Sequence, residues 1–121
     1  AVDLADRVLE LSEGPAFQRR WSFQRQMCDA AGSVPANIAE GNGRSTPLDY
    51  AAFVDRARGS LFELDTWVLL AHRRGWVDSA VQSEIEREIA TISLMLLSLA
   101  NKLRQSAALT SRSTPYEFRE E

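Results

Sequence analysis

Apolar residues recur along the chain at the three-and-four spacing of helices, not at the alternation of strands. The plainest run is Ile85, Ile89, Ile92, Leu96, Leu99 and Leu103, separated by 4, 3, 4, 3 and 4 residues, a seam that suits helices packed at shallow angles. Asp78 or Ser79 can cap its first amides, and Glu84, Glu86 and Glu88 fall in the early turns, where the helix dipole favours acid. The preceding helix has Thr46 as N-cap, Pro47 at its first position and Asp49 three residues after the cap. It is predicted to run to Gly75 through Phe53, Ala57, Ser60, Leu64, Trp67 and Ala71. A helix is predicted over residues 17–43, with Phe23, Met27, Ala31, Val34 and Ile38 on one broad stripe. Pro35 lies inside it, where a missing N–H deprives the carbonyl of residue 31 of its partner and favours a bend. A first helix through Leu4, Val8 and Leu11 stops at Gly14-Pro15. No strand-like run interrupts this order, so the pattern predicts an all-α chain of four helices with short links.

Two departures from a simple amphipathic pattern carry information. The segment Ile92-Ser93-Leu94-Met95-Leu96-Leu97-Ser98-Leu99-Ala100 is apolar almost all the way round, whereas one bundle core buries a single stripe. Leu94 and Leu97 are therefore expected to pack against another subunit. After Ser106 the helical period fades, and residues 107–121 read as a polar tail beyond a domain of residues 1–106. Tyr116 and Phe118 are its expected anchors, on the same bundle or on a neighbouring subunit.

Composition narrows the function. A chain of 121 residues with 45% hydrophobic content suits one domain. One His and one Cys leave no ligand set for zinc, and no phosphate loop, nucleophile elbow or His-Glu-x-x-His pair is present. The reading is a non-enzymatic protein with no cofactor and no metal. A lone Cys28 cannot close an intrachain disulfide, which points to a reducing cytoplasm. Cys28 and His72 are read as structural.

Charge is segregated. The formal net charge is −3, yet residues 16–75 hold eight Arg against six acids. Thirteen of the fourteen basic residues are Arg, whose planar fork matches phosphate. Two groups stand out as phosphate-binding candidates: Arg19, Arg20 and Arg25, and Arg44, Arg56 and Arg58. Arg73 and Arg74 end the third helix, where cations also suit the dipole. Trp21 and Phe23 beside Arg19-Arg20 are read first as core and second as platforms for an unpaired base.

The stretch Ser33-Val34-Pro35-Ala36-Asn37-Ile38-Ala39-Glu40-Gly41, Arg44 shortly after it, and Ala57-Arg58-Gly59-Ser60-Leu61-Phe62-Glu63-Leu64 stand in that order. Together they resemble the four-helix-bundle family of 23S ribosomal-RNA intervening-sequence proteins, over roughly residues 1–105. The accessory variability determinant proteins of diversity-generating retroelements are similar too. The resemblance implies an antiparallel up-down four-helix bundle and a homopentamer. It also implies binding of RNA or DNA, with a reverse transcriptase as a partner in the retroelement branch. Where members of the family often carry Arg-Arg after Gln-Ile/Met, this chain reads Gln26-Met27-Cys28-Asp29. Any nucleic-acid contact is therefore expected on a segregated patch. The other reading is a protein-interaction scaffold without nucleic-acid affinity.

The motif residues also admit a purely physical reading. Gly59 and Ser60, with Ala36 and Ala39, are small enough for two helix backbones to approach closely. Glu40 and Arg44 are spaced to pair along the helix. Asn37, Glu40, Arg44 and Glu63 are expected to converge in a polar network that holds helix register. A pocket lined by Asn37, Glu40 and Glu63 would be needed for a catalytic carboxylate pair.

Overall fold

The computed structural model describes residues 1–120, with side chains described through Leu109. Within them the chain forms four helices: α1 (Val2–Ser12), α2 (Trp21–Asn42), α3 (Pro47–Arg73) and α4 (Ser79–Glu120). A single 3-10 turn, Pro15–Phe17, lies between α1 and α2, and no strand occurs among the described residues. Helix α1 packs on α2, α2 on α3 and α3 on α4. None of the described helices is long and apolar enough to cross a membrane.

Each boundary has a local cause. The Thr46 hydroxyl accepts the Asp49 amide at 3.2 Å and so opens α3, while Asp78 Oδ1 accepts the Val81 amide at 2.8 Å and resolves the alternative start of α4 in favour of Asp78 as cap. Helix α3 ends at Arg73, two residues short of Gly75, because Gly75 takes the left-handed conformation (φ 79°) that closes a helix. The turn is fastened by the Trp76 amide to the Ala71 carbonyl at 2.9 Å and by His72 Nδ1 against the Val77 carbonyl at 2.9 Å. His72 thus has the structural role read from the sequence.

Helix α2 begins at Trp21, four residues later than the expected start. Arg19 is left-handed (φ 67°), which no α-helix tolerates, and it turns the chain after the 3-10 segment. Phe17 is buried in that turn against Phe23 and Trp76, with ring centroids 6.3 and 6.0 Å away. Gln24 Nε2 donates to the Ser12 carbonyl at 2.8 Å and ties the end of α1 to α2. Farther along, α2 is unbroken at Pro35. Helix α4 likewise does not stop at Ser106: no breaker occurs at Ala107-Ala108, strong helix formers, and Ala107 is buried. The anchoring expected of Tyr116 and Phe118 lies outside the described side chains.

The core follows the predicted stripes. Leu4 and Val8 of α1, Met27, Ala31 and Val34 of α2, Val54, Ala57, Leu61 and Leu64 of α3, and Ile85, Ile89 and Leu96 of α4 form one buried cluster. The close approach of α2 to α3, however, is at Gly41 and not at Gly59. A Cβ on Gly41 would lie 2.8 Å from both Phe53 Cβ and Tyr50 Cδ1, whereas one on Gly59 would meet nothing within 4 Å. Gly59, Ala36 and Ala39 are exposed. Glycine spacing predicted a contact there, but Gly59 turns away from α2 while Ser60 faces it.

Two glycine substitutions separate these roles. Gly41→Ala is expected to lower stability by about 1–3 kcal/mol, since Tyr50 and Phe53 must shift to admit a methyl group. Gly59→Ala, in open space within a helix, is expected to raise it by up to about 1 kcal/mol. Denaturant unfolding of both variants checks the pair, and equal effects would refute the assignment of the close approach.

Candidate nucleic-acid interface

The α2–α3 seam is built from three kinds of contact along its length. Near its middle, Ser33 Oγ meets Ser60 Oγ at 2.8 Å, and Asn37 Nδ2 donates to the Ser33 hydroxyl at 2.9 Å and to its carbonyl at 2.8 Å. Ser60 also donates to the Arg56 carbonyl at 3.1 Å when its hydroxyl hydrogen points that way. This small half-buried network holds the register that Asn37 was expected to hold, but with different partners. Glu40 turns instead to Arg44 (Oε1 to Nη2 2.6 Å), and Glu63 accepts the Trp67 indole N–H at 3.4 Å. The expected convergence of Asn37, Glu40, Arg44 and Glu63 does not form, because each finds a partner four residues away in its own segment of chain. Glu40 and Glu63 therefore do not make a carboxylate pair. A nearby groove of about 680 Å³ is lined by Val2, Pro35, Ile38, Ala39, Asn42 and Tyr50, among others, and by none of Asn37, Glu40 and Glu63.

At one end of the seam the Phe53 ring carries two guanidinium groups, Arg44 at 4.6 Å and Arg56 at 4.5 Å from its centroid. Cation–π contact of this kind orients a flexible arginine at the cost of little of its hydrogen-bonding edge. Arg58 does not join them. It lies over the Phe62 ring at 5.6 Å, because residues two apart on a helix point about 200° from one another. Its Nε is buried without a hydrogen-bond partner among the described residues. The group Arg44, Arg56 and Arg58 is thus split between two faces of α3.

At the other end, rings from the 3-10 turn, α2, α3 and the turn after α3 interlock. Phe23 sits edge-on to Trp67 at 5.1 Å and to Trp76 at 5.0 Å, and Phe17 packs on both Phe23 and Trp76. Arg20 covers Trp76 at 4.3 Å from the ring centroid, and Arg74 approaches the same ring at 6.0 Å. Arg20 also donates to the Ala16 carbonyl at 2.8 Å. Sequence spacing missed this grouping, since Arg20 precedes α2, Arg74 follows α3, and the two meet only through Trp76. Phe23 is packed, as its core reading required. Trp21 is not: it is 73% exposed, since the left-handed Arg19 sets the start of α2 so that Trp21 stands outside the ring cluster. Arg19, Arg25 and Arg73 are exposed beside these elements.

Carboxylates neutralise only part of this charge. Among the described residues, salt bridges join Arg7 to Glu88 at 2.7 Å and to Glu84 at 3.9 Å, Arg44 to Glu40, and Arg104 to Asp55. Arg19, Arg20, Arg25, Arg56, Arg58, Arg73 and Arg74 have no carboxylate within 4.0 Å among the described residues. No three His, Cys, Asp or Glu side chains converge as a metal site among the described residues. Cys28 is half-buried and free, one helical position before the exposed Asp29.

A separate surface is apolar. Leu94 and Met95 of α4 are 68% and 66% exposed, Leu97 is 37% exposed, and Phe62 of α3 is 52% exposed. Phe62 and Leu94 line one groove together with Asp65 and Glu86. Partial burial, and secondarily the Glu86 carboxylate, hold the Asp65 carboxyl above its ordinary value of 3.8. Met95 and Phe62 were absent from the expected interface pair, although the apolar run around Leu94 signalled the first of them.

The model of a family described as 23S rRNA-intervening sequence protein matches residues 1–98. Among curated proteins none matches the chain. The fold is similar to a crystal structure at 1.70 Å of a protein with unknown function from the S23 ribosomal protein family of Bacteroides thetaiotaomicron VPI-5482. The similarity has a TM-score of 0.75 at 19% identity and covers 82% of this chain and 93% of the other.

Asp65 offers a test of the acidic rim. A carboxyl whose pKa is raised by folding contributes stability that is complete below its unfolded value and is lost as pH rises through the folded value. Asp65→Asn is therefore expected to raise the thermal midpoint at about pH 7, with the gain vanishing below about pH 3.8. Thermal denaturation across that range checks it, and an equal gain at both ends would refute the electrostatic cause.

Proposed function

The chain belongs to the 23S rRNA-intervening sequence protein family, and on that premise we propose a non-catalytic, oligomeric nucleic-acid-binding protein. In this reading the helices form an antiparallel up-down bundle. Ser33 meets Ser60 while Gly41 meets Tyr50 and Phe53, and Asp55 meets Arg104 while Asp65 lies beside Glu86, which supports that order because partner numbers fall on one helix as they rise on the next. The bundle assembles through the face of Leu94 and Leu97, extended by Met95 and Phe62, with five copies as the resemblance implies. Leu94 shares one groove with Phe62 and another with Met95; leaving these large apolar side chains exposed is unfavourable for a free subunit, and burying each against another copy stabilises the assembly by about 1.5–3 kcal/mol per side chain.

The observation that carries the nucleic-acid reading is the set of guanidinium groups without carboxylate partners along α2, α3 and their turns. Arg19, Arg20, Arg25, Arg73 and Arg74 lie toward the aromatic end of the seam, and Arg56 toward the other. Phosphates of RNA or DNA, free or presented by a nucleoprotein such as a reverse transcriptase complex, would neutralise them. Each copy carries a formal net charge of −3, so affinity depends on local contacts and falls steeply with salt. No residue is assigned a chemical step. The setting that suits a lone unpaired thiol and this partner is the cytoplasm.

Replacing Arg19, Arg20, Arg73 and Arg74 by Gln is expected to weaken binding of every nucleic-acid sequence and to flatten the dependence of log K on log salt by about one unit per lost phosphate contact. Fluorescence anisotropy at several salt concentrations measures both, and an unchanged affinity and slope would sink the reading. Leu94→Glu is expected to lower the mass of the assembly, as read by light scattering. A mass unaltered by that change would place the subunit contact elsewhere.

A further inference from the structure

We infer that Trp21 and the arginines around it form a subsite for an unpaired base, so that the protein prefers single-stranded to duplex nucleic acid. The inference rests on the nucleic-acid reading above and names the class of ligand at its aromatic end. Three observations support it. Trp21 is 73% exposed, which is uncommon for so large an aromatic side chain, while Phe17, Phe23, Trp67 and Trp76 interlock in a cluster it does not join. It lies between cations on both sides: Arg19 and Arg20 precede it in the chain, and Arg25 stands one turn later on the same face of α2. Finally, Arg20 and Arg74 are both drawn onto Trp76, so the end of α3, with Arg73 and Arg74, is brought beside the start of α2.

The chemistry of that arrangement selects its ligand. An indole face in solvent binds another flat, polarisable face, and every nucleobase has one. Guanidinium groups laid on an indole keep N–H donors for phosphate oxygens: Arg74 approaches Trp76 at 6.0 Å, and Arg20 gives one Nη1 hydrogen to the Ala16 carbonyl and retains the others. Neighbouring acids form no salt bridge with them among the described residues: Asp29, one turn beyond Arg25, and Glu13, at the end of α1, are exposed, and Asp78 caps α4 by accepting the Val81 amide. A base can reach Trp21 only when it is out of a duplex stack, because paired bases present edges and not faces. Ribose and deoxyribose strands share this chemistry, and Trp21 does not distinguish them.

The test uses the full chain and three labelled probes. These are a single-stranded RNA of about 12 nucleotides, the same backbone made abasic, and the matching duplex. Trp21→Ala is expected to weaken the single strand about tenfold while changing the abasic strand and the duplex less than about twofold. Trp21→Phe, which retains a stacking face, is expected to recover most of the lost affinity. Because Trp21 lies outside the core, an unchanged thermal midpoint and assembly mass accompany these effects. An equal loss on all three probes, no loss on any, or a changed assembly mass would overturn the subsite. Failure of the unaltered protein to bind any probe at low salt would instead remove the underlying nucleic-acid reading, and the subsite with it.

Discussion

The contact of α2 with α3 is the constraint on which the rest of the structure depends. At Gly41 the two helices approach so closely that a single methyl group would collide with Tyr50 and Phe53. Farther along the seam, Ser33 Oγ meets Ser60 Oγ across the two helices in a single register, and Asn37 braces Ser33 from within α2. A shift of either helix along the other would break the Ser33–Ser60 hydrogen bond, at a cost of about 0.5–1.5 kcal/mol, and move the close approach off Gly41. With that register held, Phe53 comes to lie under both Arg44 and Arg56 at one end. At the other end, Phe23 meets Trp67 and Trp76. The arrangement of arginines on aromatic rings is a consequence of the packing and not an addition to it.

Electrostatics on this scaffold are local. The chain is acidic overall, yet its acids and cations are not mixed evenly. Glu84, Glu88, Glu40 and Asp55 are engaged by Arg7, Arg44 and Arg104, and such exposed pairs contribute a few tenths of a kcal/mol to stability. The arginines that stay clear of carboxylates are largely those laid on aromatic rings. Stacking restrains the guanidinium without neutralising it, which leaves a cation both oriented and available. That distinction separates Arg20 and Arg74 on Trp76 from Arg44, whose charge is shared with Glu40 at 2.6 Å.

The opposite problem arises on the face of Leu94, Met95 and Phe62, where large apolar groups meet water and Asp65 and Glu86 sit at the margin. A partly buried carboxyl next to a second one favours its neutral form. Two surfaces with different physics therefore lie on one small fold, and α3 contributes to both: Phe53, Arg56 and Ser60 on the side of α2, Arg58, Phe62 and Asp65 on the side of α4.

The legibility of the chain follows the range of the interactions involved. Helix positions, the Thr46 cap, the stop at Gly14-Pro15 and the buried stripe through Ile85, Ile89 and Leu96 were readable because they depend on residues within one or two turns of each other. The family motif was readable as well, and it located the α2–α3 seam without explaining it. Where reasoning from spacing went astray, a longer-range cause decided the outcome. Gly59 had the right size for a close approach, but Gly41 faces α3 and Gly59 does not. Arg58 stood beside Arg56 in sequence and opposite to it in space. Trp21 had the composition of a core residue, but a left-handed Arg19 placed it in solvent. The sequence alone determined an all-helical chain, its core stripes and an excess of arginine on the middle helices, since period and composition are local properties. The partners of each arginine and aromatic ring were decided only by the tertiary structure, because Trp76 and Arg20 are brought together by a fold and not by a spacing.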